Sequence, residues 1–437
     1  MNIIGKHLKN HKYIYIIITL TIILGTSFIT TYPVINISDD EVYYLPHYNK
    51  PDTIIQKIKN LLPGNLQFTW FFPLNYSVYP FFSTEELENF YWGNKRRKSI
   101  HPYPYQIKKF FRKIGFFNLV LLVISGIFVY LICLKLGLRN FYAAMATALI
   151  TLNFRVVYYI QGLWPEFLHY IFILSSVYFF ILYSKKKRAS YLIVSSFLLA
   201  YAAFTKGIVG NYYYILLVIL ILLNKEKIFS KKFIVTLIAF MLPYYGCITM
   251  QKINNYKKNG IFSLSTNIWV NIEASLIPEK KIQEEGYKYV YLRYFQCSED
   301  EAEREALSKK RIFKYLKDTS IIKILNHQIS NYFKLINKNS IARDIHKHRW
   351  VVSNHLLIYV SKISIFLSWF LFIFGILGAI ISYRSGWGVI ILIGYLGYYL
   401  SALFIVGFNI RFYIQAIPFL AIFSVLFISK IFHRNLE

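Results

Sequence analysis

Residues 189–223 read ASYLIVSSFLLAYAAFTKGIVGNYYYILLVILILL, a run with one basic residue, Lys206, and no acidic residue. A membrane-spanning helix needs about 20 apolar residues, so this run is too long for one crossing and short for two. We interpret it as two short spans, 189–205 and 208–223, which meet at Thr205-Lys206-Gly207. A single helix here would invert the membrane sides of every later segment.

Eight further apolar runs of membrane-spanning length surround this pair. They lie near 12–34, 115–136, 141–160, 163–183, 232–250, 356–382, 386–407 and 412–430. The first run has no small-residue cleavage site and is interpreted as a retained signal anchor. With 56% hydrophobic residues and a mean hydropathy of +0.41, the chain is expected to be an all-α integral membrane protein with about ten transmembrane helices.

The short basic loops assign the two sides of the membrane. Loops rich in Lys and Arg stay in the cytoplasm, and ten spans place all of them on one side: Lys6/Lys9/Lys12, Lys135/Arg139, Lys185 to Arg188, Lys225/Lys227/Lys231/Lys232, Arg384 and Lys430/Arg434. Both chain ends are then cytoplasmic. The expected organisation is an N-terminal membrane module (1–250) with a catalytic first outer loop (33–112), an outer helical loop (251–355) and a C-terminal three-span module (356–437).

The formal net charge of +29 does not by itself indicate nucleic acid binding. Part of it is the cytoplasmic signal and part lies in the two long outer loops, and no phosphate loop or RNA-binding aromatic motif accompanies it. Cys133, Cys247 and Cys297 form neither a disulfide framework nor a metal-ligand cluster. We therefore expect no nucleic acid partner, no metal and no cofactor.

The two outer loops have different compositions. Aromatic stretches such as 68–72 and 76–82 in the first loop predict helices lying in the membrane interface. The second loop is predicted to be a small soluble helical subdomain. Ser298 and Glu301 form a capping-box pattern there, and the acids that follow precede a series of bases, an order that complements the helix dipole.

Three consecutive acids, Asp39-Asp40-Glu41, come shortly after the first span. Clustered carboxylates repel one another, so at least one of them should have a raised pKa, which suits a general base. A carboxylate at the membrane surface can take the proton of an acceptor hydroxyl group that attacks a lipid-borne sugar. The alternative is a solvated acidic turn with a helix cap.

Four other ionisable residues lie near or inside the apolar layer, where charge is costly. Glu166 and His169 begin the fourth span, Lys206 lies between the fifth and sixth, and Arg411 precedes the tenth. Lys206 and Arg411 together are candidates for holding a phosphate leaving group. The alternatives are snorkelling for both cations, a helix-terminal acid for Glu166 and packing for His169.

Five short motifs together resemble the GT-C glycosyltransferases that use polyprenyl-phosphate sugars, such as protein O-mannosyltransferases and lipid A aminoarabinose transferases. The motifs are Asp40-Glu41-Val42-Tyr43-Tyr44, His101-Pro102-Tyr103-Pro104-Tyr105, Tyr159 to Glu166, Phe204-Thr205-Lys206-Gly207, and Arg411-Phe412-Tyr413 through Pro418. They occur in the family's order from end to end of the chain. The departures are Gly207 and Gln415, where the family has proline, and the additional acid Asp39.

The resemblance implies a GT-C-like fold and an inverting hexosyl- or pentosyltransferase in the inner or plasma membrane, with its site on the periplasmic or extracellular face. The donor would be a polyprenyl-phosphate sugar and the acceptor a glycan, lipid or protein. Asp40 would act as the base, with Asp39 and Glu41 beside it. Substrate-binding roles would fall to Lys206, Arg411, Glu166, His101, Tyr44 and His169.

Three other classes of membrane protein remain open. An O-antigen polymerase or ligase has a similar number of spans, but it would place Arg and His residues in the large loop and no acid cluster after span one. A transporter of lipid-linked glycans would carry polar residues deep in many spans, whereas most spans here are apolar at their centres. A non-enzymatic scaffold would leave the acid triplet and Lys206 without a role.

Overall fold

The computed structural model describes residues 11–31, 62, 105–161, 165–228, 230–264, 268–284, 301–337, 354–406 and 413–434. These residues form fifteen α-helices and three short 3-10 helices, and they contain no β-strand. The N-terminal half comprises α1 (Lys12–Thr31), α2 (Tyr105–Lys135), α3 (Asn140–Thr151), α4 (Phe154–Tyr158), α5 (Glu166–Lys186), α6 (Ala189–Thr205), α7 (Tyr212–Leu223) and α8 (Lys231–Asn259). The rest comprises α9 (Ile268–Leu276), α10 (Glu279–Glu284), α11 (Glu301–Asp318), α12 (Ile321–Asn337), α13 (Asn354–Ser382), α14 (Trp387–Val406) and α15 (Ile417–Arg434).

Five of the described helices are long and apolar enough to cross a membrane. They contain the segments Lys12–Thr30, Arg112–Lys135, Glu166–Lys186, Lys231–Lys257 and Lys362–Ser382. Four shorter apolar segments accompany them: Ala189–Thr205, Gly207–Leu223, Trp387–Leu403 and Ile417–Phe432. Large apolar side chains such as Ile23, Leu242 and Phe366 point outward from the bundle, where a water-soluble protein would carry polar residues. The chain is a multi-pass, all-α membrane protein.

The bundle is packed around α5, which contacts α2, α6 and α14. On α5, Ser176 donates a hydrogen bond to the Ser195 carbonyl of α6 at 2.7 Å, and Ser195 donates back to the Ser176 carbonyl at 2.8 Å. Small residues also join α13 to α15, since a Cβ atom on Gly378 would lie 1.9 Å from the Phe423 carbonyl oxygen. Close backbone approach through small residues is typical of membrane helices, which gain little from the hydrophobic effect against one another.

Several basic turns meet at one end of the bundle. Lys185 donates to the Lys135 carbonyl, Lys187 donates to the Leu223 carbonyl at 3.2 Å, and Lys430 donates to Ser385 Oγ at 2.8 Å. The start of α1 lies at the same end, since the ring of His11 is 2.8 Å from the hydroxyl of Tyr130 near the end of α2. The turns that the sequence assigned to one membrane side are therefore neighbours in space.

The structure differs from the predicted spans at several helix boundaries, of which two stand out. The span expected at 141–160 is not one helix, because α3 ends at Thr151 and is about 18 Å long at 1.5 Å per residue. Leu152 caps the end of that helix, and Asn153 begins α4, since its side chain accepts a hydrogen bond from the Arg155 amide at 3.0 Å. In addition, α8 extends past the expected end near residue 250 as far as Asn259.

The run at 189–223 divides where the sequence indicated. Helix α6 ends at Thr205, a 3-10 turn covers Gly207–Val209, and α7 begins at Tyr212. Lys206 itself is extended, with φ −146° and ψ 101°, so the helical hydrogen bonds stop there. The break places the Lys206 side chain beside the start of α5.

Helices α9, α11 and α12 pack together, and they also contact the membrane helices. The Trp269 amide donates to Glu305 Oε2 at 2.9 Å, and Gln328 donates to the Ser275 carbonyl at 3.2 Å. Helix α9 contacts α14, and α12 contacts both α13 and α14. Because of these contacts, the described part of the second outer loop is attached to the membrane bundle rather than separated from it by a linker.

Candidate functional site

The centre of the candidate site is a buried ion pair between two helix ends. Glu166 is the first residue of α5 and Lys206 follows the last residue of α6, and Lys206 Nζ lies 3.1 Å from Glu166 Oε1. The two side chains are 0% and 6% exposed, respectively. A carboxylate at a helix N-terminus is stabilised by the positive end of the helix dipole. The pair therefore holds a lysine in one place, inside the protein, beside the break between α6 and α7.

His169 lies one turn beyond Glu166 and is completely buried. Its Nδ1 atom is 3.0 Å from the hydroxyl of Thr205 and 3.3 Å from the carbonyl of Ala202. If Nδ1 carries the ring proton, it donates to these oxygens, and Nε2 is then an acceptor. These contacts attach α5 to the last turn of α6 immediately next to Lys206.

Buried tyrosines extend the polar cluster toward α14 and the start of α15. Tyr170 donates a hydrogen bond to the Ile414 carbonyl. Tyr399 donates to Gln415 Oε1 at 2.6 Å and stacks on Tyr395 with ring centroids 5.6 Å apart. The residues just before α15 therefore lie against α5, close to the Glu166 end.

Three buried polar atoms of this cluster have no hydrogen-bond partner among the residues that the structure describes. They are His169 Nε2, Gln415 Nε2 and the Tyr395 hydroxyl. Buried polar groups are nearly always paired with protein or with water. The cluster therefore has both donors and acceptors for a polar molecule.

Three of the candidate residues from the sequence come together here: Glu166, His169 and Lys206. The sequence suggested that Lys206 opens onto the outer face, whereas the structure buries it against Glu166. The other candidates lie outside the described residues: Asp39, Asp40, Glu41, Tyr44, His101 and Arg411. The described residue nearest in sequence to Arg411 is Tyr413, which is buried beside Ile414.

Arg155 was not among the candidates from the sequence. It lies on α4, is 3% exposed and donates from Nη2 to the Ile336 carbonyl at the end of α12, at 2.9 Å. A cation near a helix C-terminus interacts favourably with the helix dipole, and its N–H groups also satisfy a terminal carbonyl that has no partner within the helix. The available signal was a lone arginine within the apolar run 141–160, where charged residues are rare and usually functional.

Comparisons with known proteins identify the fold through structure alone. No protein-family profile matches the chain, and no curated protein sequence matches it. The apo crystal structure of the Archaeoglobus fulgidus oligosaccharyltransferase matches with a TM-score of 0.50 and 12% identity, over 98% of this chain and 51% of that chain.

Two other structures of the archaeal oligosaccharyltransferase from that organism match less closely. The complex of AglB with an inhibitory peptide and a dolichol-phosphate has a TM-score of 0.43 and 11% identity, over 98% of this chain and 52% of that chain. The form tethered to an acceptor peptide has a TM-score of 0.43 and 12% identity, over 98% and 51%. This chain spans about half the length of these solved structures. The apo structure shows that the chain has the GT-C fold.

Proposed function

We propose that this chain is a membrane glycosyltransferase that moves a sugar from a polyprenyl-phosphate carrier to an acceptor hydroxyl group, with inversion at the anomeric carbon. The observation that carries the proposal is the GT-C fold, which extends over 98% of the chain. The Archaeoglobus fulgidus protein of that fold is an oligosaccharyltransferase, which supports glycosyl transfer as the reaction class. The acceptor is a glycan, a lipid or a protein.

The proposed topology has ten crossings of the inner or plasma membrane, made by α1, α2, α3 together with α4, α5, α6, α7, α8, α13, α14 and α15. The contacts of Lys185, Lys187 and Lys430 support it, because they gather the basic turns at one end of the bundle. That end is cytoplasmic by the positive-inside rule. Glu166 and Lys206 lie at the opposite ends of α5 and α6, and these ends are proposed to face the periplasm or the extracellular space.

Lys206 is proposed to stabilise the phosphate of the donor as it departs. An ammonium group has three N–H donors, so the contact with Glu166 is compatible with a second acceptor such as a phosphate oxygen. Glu166 holds the ammonium in position before the donor binds. Preorganised charge of this kind is usually the largest single contribution to transition-state stabilisation.

The acceptor hydroxyl attacks the anomeric carbon while the bond from that carbon to the phosphate oxygen breaks. The phosphate leaves with the bonding electron pair, and Asp40 takes the proton of the hydroxyl. Asp39 and Glu41 are proposed as the neighbouring carboxylates, whose charge would raise the pKa of this base. Arg411 is proposed to share the phosphate with Lys206, and Tyr44, His101 and His169 are proposed to line the substrate site.

The test is sugar transfer by the purified full chain in liposomes, with a panel of polyprenyl-phosphate sugars as donors. Replacing Asp40 with asparagine removes the base and should lower turnover by about 10² to 10⁴-fold. Asp52→Asn is the matched control, because it removes a carboxylate from the same loop. It should leave turnover unchanged.

Folding is checked for each variant by size exclusion and thermal unfolding in the same detergent. Equal turnover by the wild type and by the Asp39→Asn/Asp40→Asn double variant would disprove the proposed base. Absence of transfer by the wild type from every polyprenyl-phosphate donor in the panel, in the presence of membrane acceptors, would contradict the proposed reaction itself.

A further inference from the structure

Helix α12 has an apolar face that is only half covered by the protein. Ile324, Gln328, Tyr332 and Ile336 recur every four residues and are buried. Next to them runs an exposed apolar stripe, formed by Ile321, Ile322, Leu325, Ile329 and Phe333. Ile321 and Ile322 are 73% and 69% exposed, which is unusual for isoleucine on a helix facing water.

The polar residues of α12 lie on the opposite side of the helix. Lys323, Ser330 and Lys334 are exposed there, at positions that a period of 3.6 residues places away from the stripe. Helix α12 itself contains two lysines, Lys323 and Lys334, and no acid, and the preceding helix α11 adds five Lys and Arg residues between Lys309 and Lys317. An apolar stripe opposite a basic polar face is the pattern of a helix that lies in a membrane interface.

The C-terminal end of the stripe is attached to a membrane-spanning helix. Phe333 stacks on Trp369 with ring centroids 5.8 Å apart and an interplanar angle of 19°, and Tyr332 lies 5.6 Å from Phe372. Trp369 Nε1 also donates to Asn337 Oδ1 at 2.8 Å. Trp369 and Phe372 both belong to the apolar span Lys362–Ser382. These contacts place the end of α12 beside residues that lie within the bilayer.

The stripe is also continuous with an apolar groove. A cavity of about 350 Å³ lies between α12, α13 and α14, and its lining is Ile329, Tyr332, Phe333, Phe372, Leu400 and Ser401. Its walls are shared by the stripe and by two membrane helices. Exposed apolar surface of this kind marks interaction sites, membranes among them.

We propose that α12 is a membrane-interface helix whose apolar stripe is inserted among the acyl chains of the adjacent lipid leaflet. The lysines opposite the stripe remain at the level of the headgroups and water, with their long side chains extended. The segment expected from the sequence to be a soluble subdomain is, on this view, held against the membrane along the length of α12. The inference requires only that the chain spans the membrane and is independent of the reaction it catalyses.

Fluorescent labels on single cysteines test the position of the stripe. Ile322→Cys and Leu325→Cys place a nitrobenzoxadiazole label on the stripe, while Lys323→Cys and Ser330→Cys place it on the exposed polar side as matched controls. The background carries Cys133→Ala, Cys247→Ala and Cys297→Ala. Phe366→Cys is the lipid-facing reference, since Phe366 is 71% exposed within the apolar span of α13.

The labelled chains are incorporated into nanodiscs of phosphatidylethanolamine and phosphatidylglycerol, with or without doxyl-labelled phosphatidylcholine. All of these side chains are exposed, so the labels should leave folding intact, and size exclusion verifies this. We expect doxyl lipid to quench the stripe labels at least threefold more than the polar-side labels and nearly as much as the Phe366 reference. Iodide dissolved in the water should quench the polar-side labels more strongly than the stripe labels.

Two results would overturn the proposal. Stripe labels that iodide quenches as strongly as the controls would place α12 in water. Stripe labels that neither iodide nor doxyl lipid reaches would show that protein covers the stripe, as in a dimer of this chain.

Discussion

Replacing Lys206 with methionine shortens the side chain by only one atom and removes the ammonium that lies 3.1 Å from Glu166. At that distance the attraction is about 5 kcal/mol for an effective dielectric constant of about 20. Part of it is offset by the cost of burying both charges. Breaking a buried pair from one side typically costs about 3–5 kcal/mol, because the remaining charge has lost its partner. We expect a loss of that size for Lys206→Met and for Glu166→Met.

The double variant Lys206→Met/Glu166→Met should be more stable than either single variant. Two apolar side chains of similar volume leave no uncompensated charge, and such replacements are often neutral or stabilising by about 1–4 kcal/mol. The free energy of unfolding is measured for the wild type, both single variants and the double variant by titration with dodecyl sulfate in mixed micelles. The coupling energy follows from this double-mutant cycle. We expect a coupling energy of at least about 2 kcal/mol, within the range for residues in direct contact.

Lys186→Met serves as the control for removing a lysine from a helix end. Lys186 is exposed at the other end of α5, so its loss should change stability by no more than about 0.5 kcal/mol. If the two single effects at Glu166 and Lys206 add up to the double effect within about 0.5 kcal/mol, the pair does not act as a unit. The proposed preorganisation of Lys206 would then be wrong.

Two further predictions concern contacts between helices. Gly378→Ala should destabilise the chain by about 1–3 kcal/mol in the same titration, because its Cβ atom meets the Phe423 carbonyl, whereas Gly397→Ala, with open space around it, should be neutral or slightly stabilising. Equal effects at the two glycines would contradict the close approach of α13 and α15. Arg155→Gln should speed amide hydrogen exchange in the last turn of α12 by about tenfold, since a buried hydrogen bond from a charged donor to the Ile336 carbonyl is lost. Arg155→Lys keeps a charged donor, so its exchange rate should lie between those of the wild type and Arg155→Gln. Unchanged exchange in both variants would refute the contact.

The sequence predicted the helical, membrane-spanning character of the chain and the break at Lys206. Both depend on local properties, namely the length of an apolar run and one charge with a glycine beside it. The start of α4 directly after α3 also had a local cause, since Asn153 is the N-cap of α4. Hydropathy alone does not reveal such a cap within an apolar run.

The partners within the site could not be derived in the same way. Glu166 and Lys206 are separated by 40 positions, and their contact depends on how α5 packs on α6. Arg155 reaches the carbonyl of Ile336 over 181 positions. Residue type indicated that these charges needed partners, but only the packing of the helices selects which partner each one has.

The ion pair between α5 and α6 also has a consequence for how the chain is made. Glu166 leaves the ribosome well before Lys206, so α5 alone would present the membrane insertion machinery with an acid that has no counterion. A charged residue in a spanning helix costs about 2.5–3.5 kcal/mol at insertion when it lies at the centre, and less near the end. We expect α5 and α6 to enter the lipid together as a hairpin, with the salt bridge closing as the second helix arrives. A chain whose translation is arrested after α5 has emerged, while α6 is still inside the ribosome, should hold α5 at the translocon rather than release it into the bilayer.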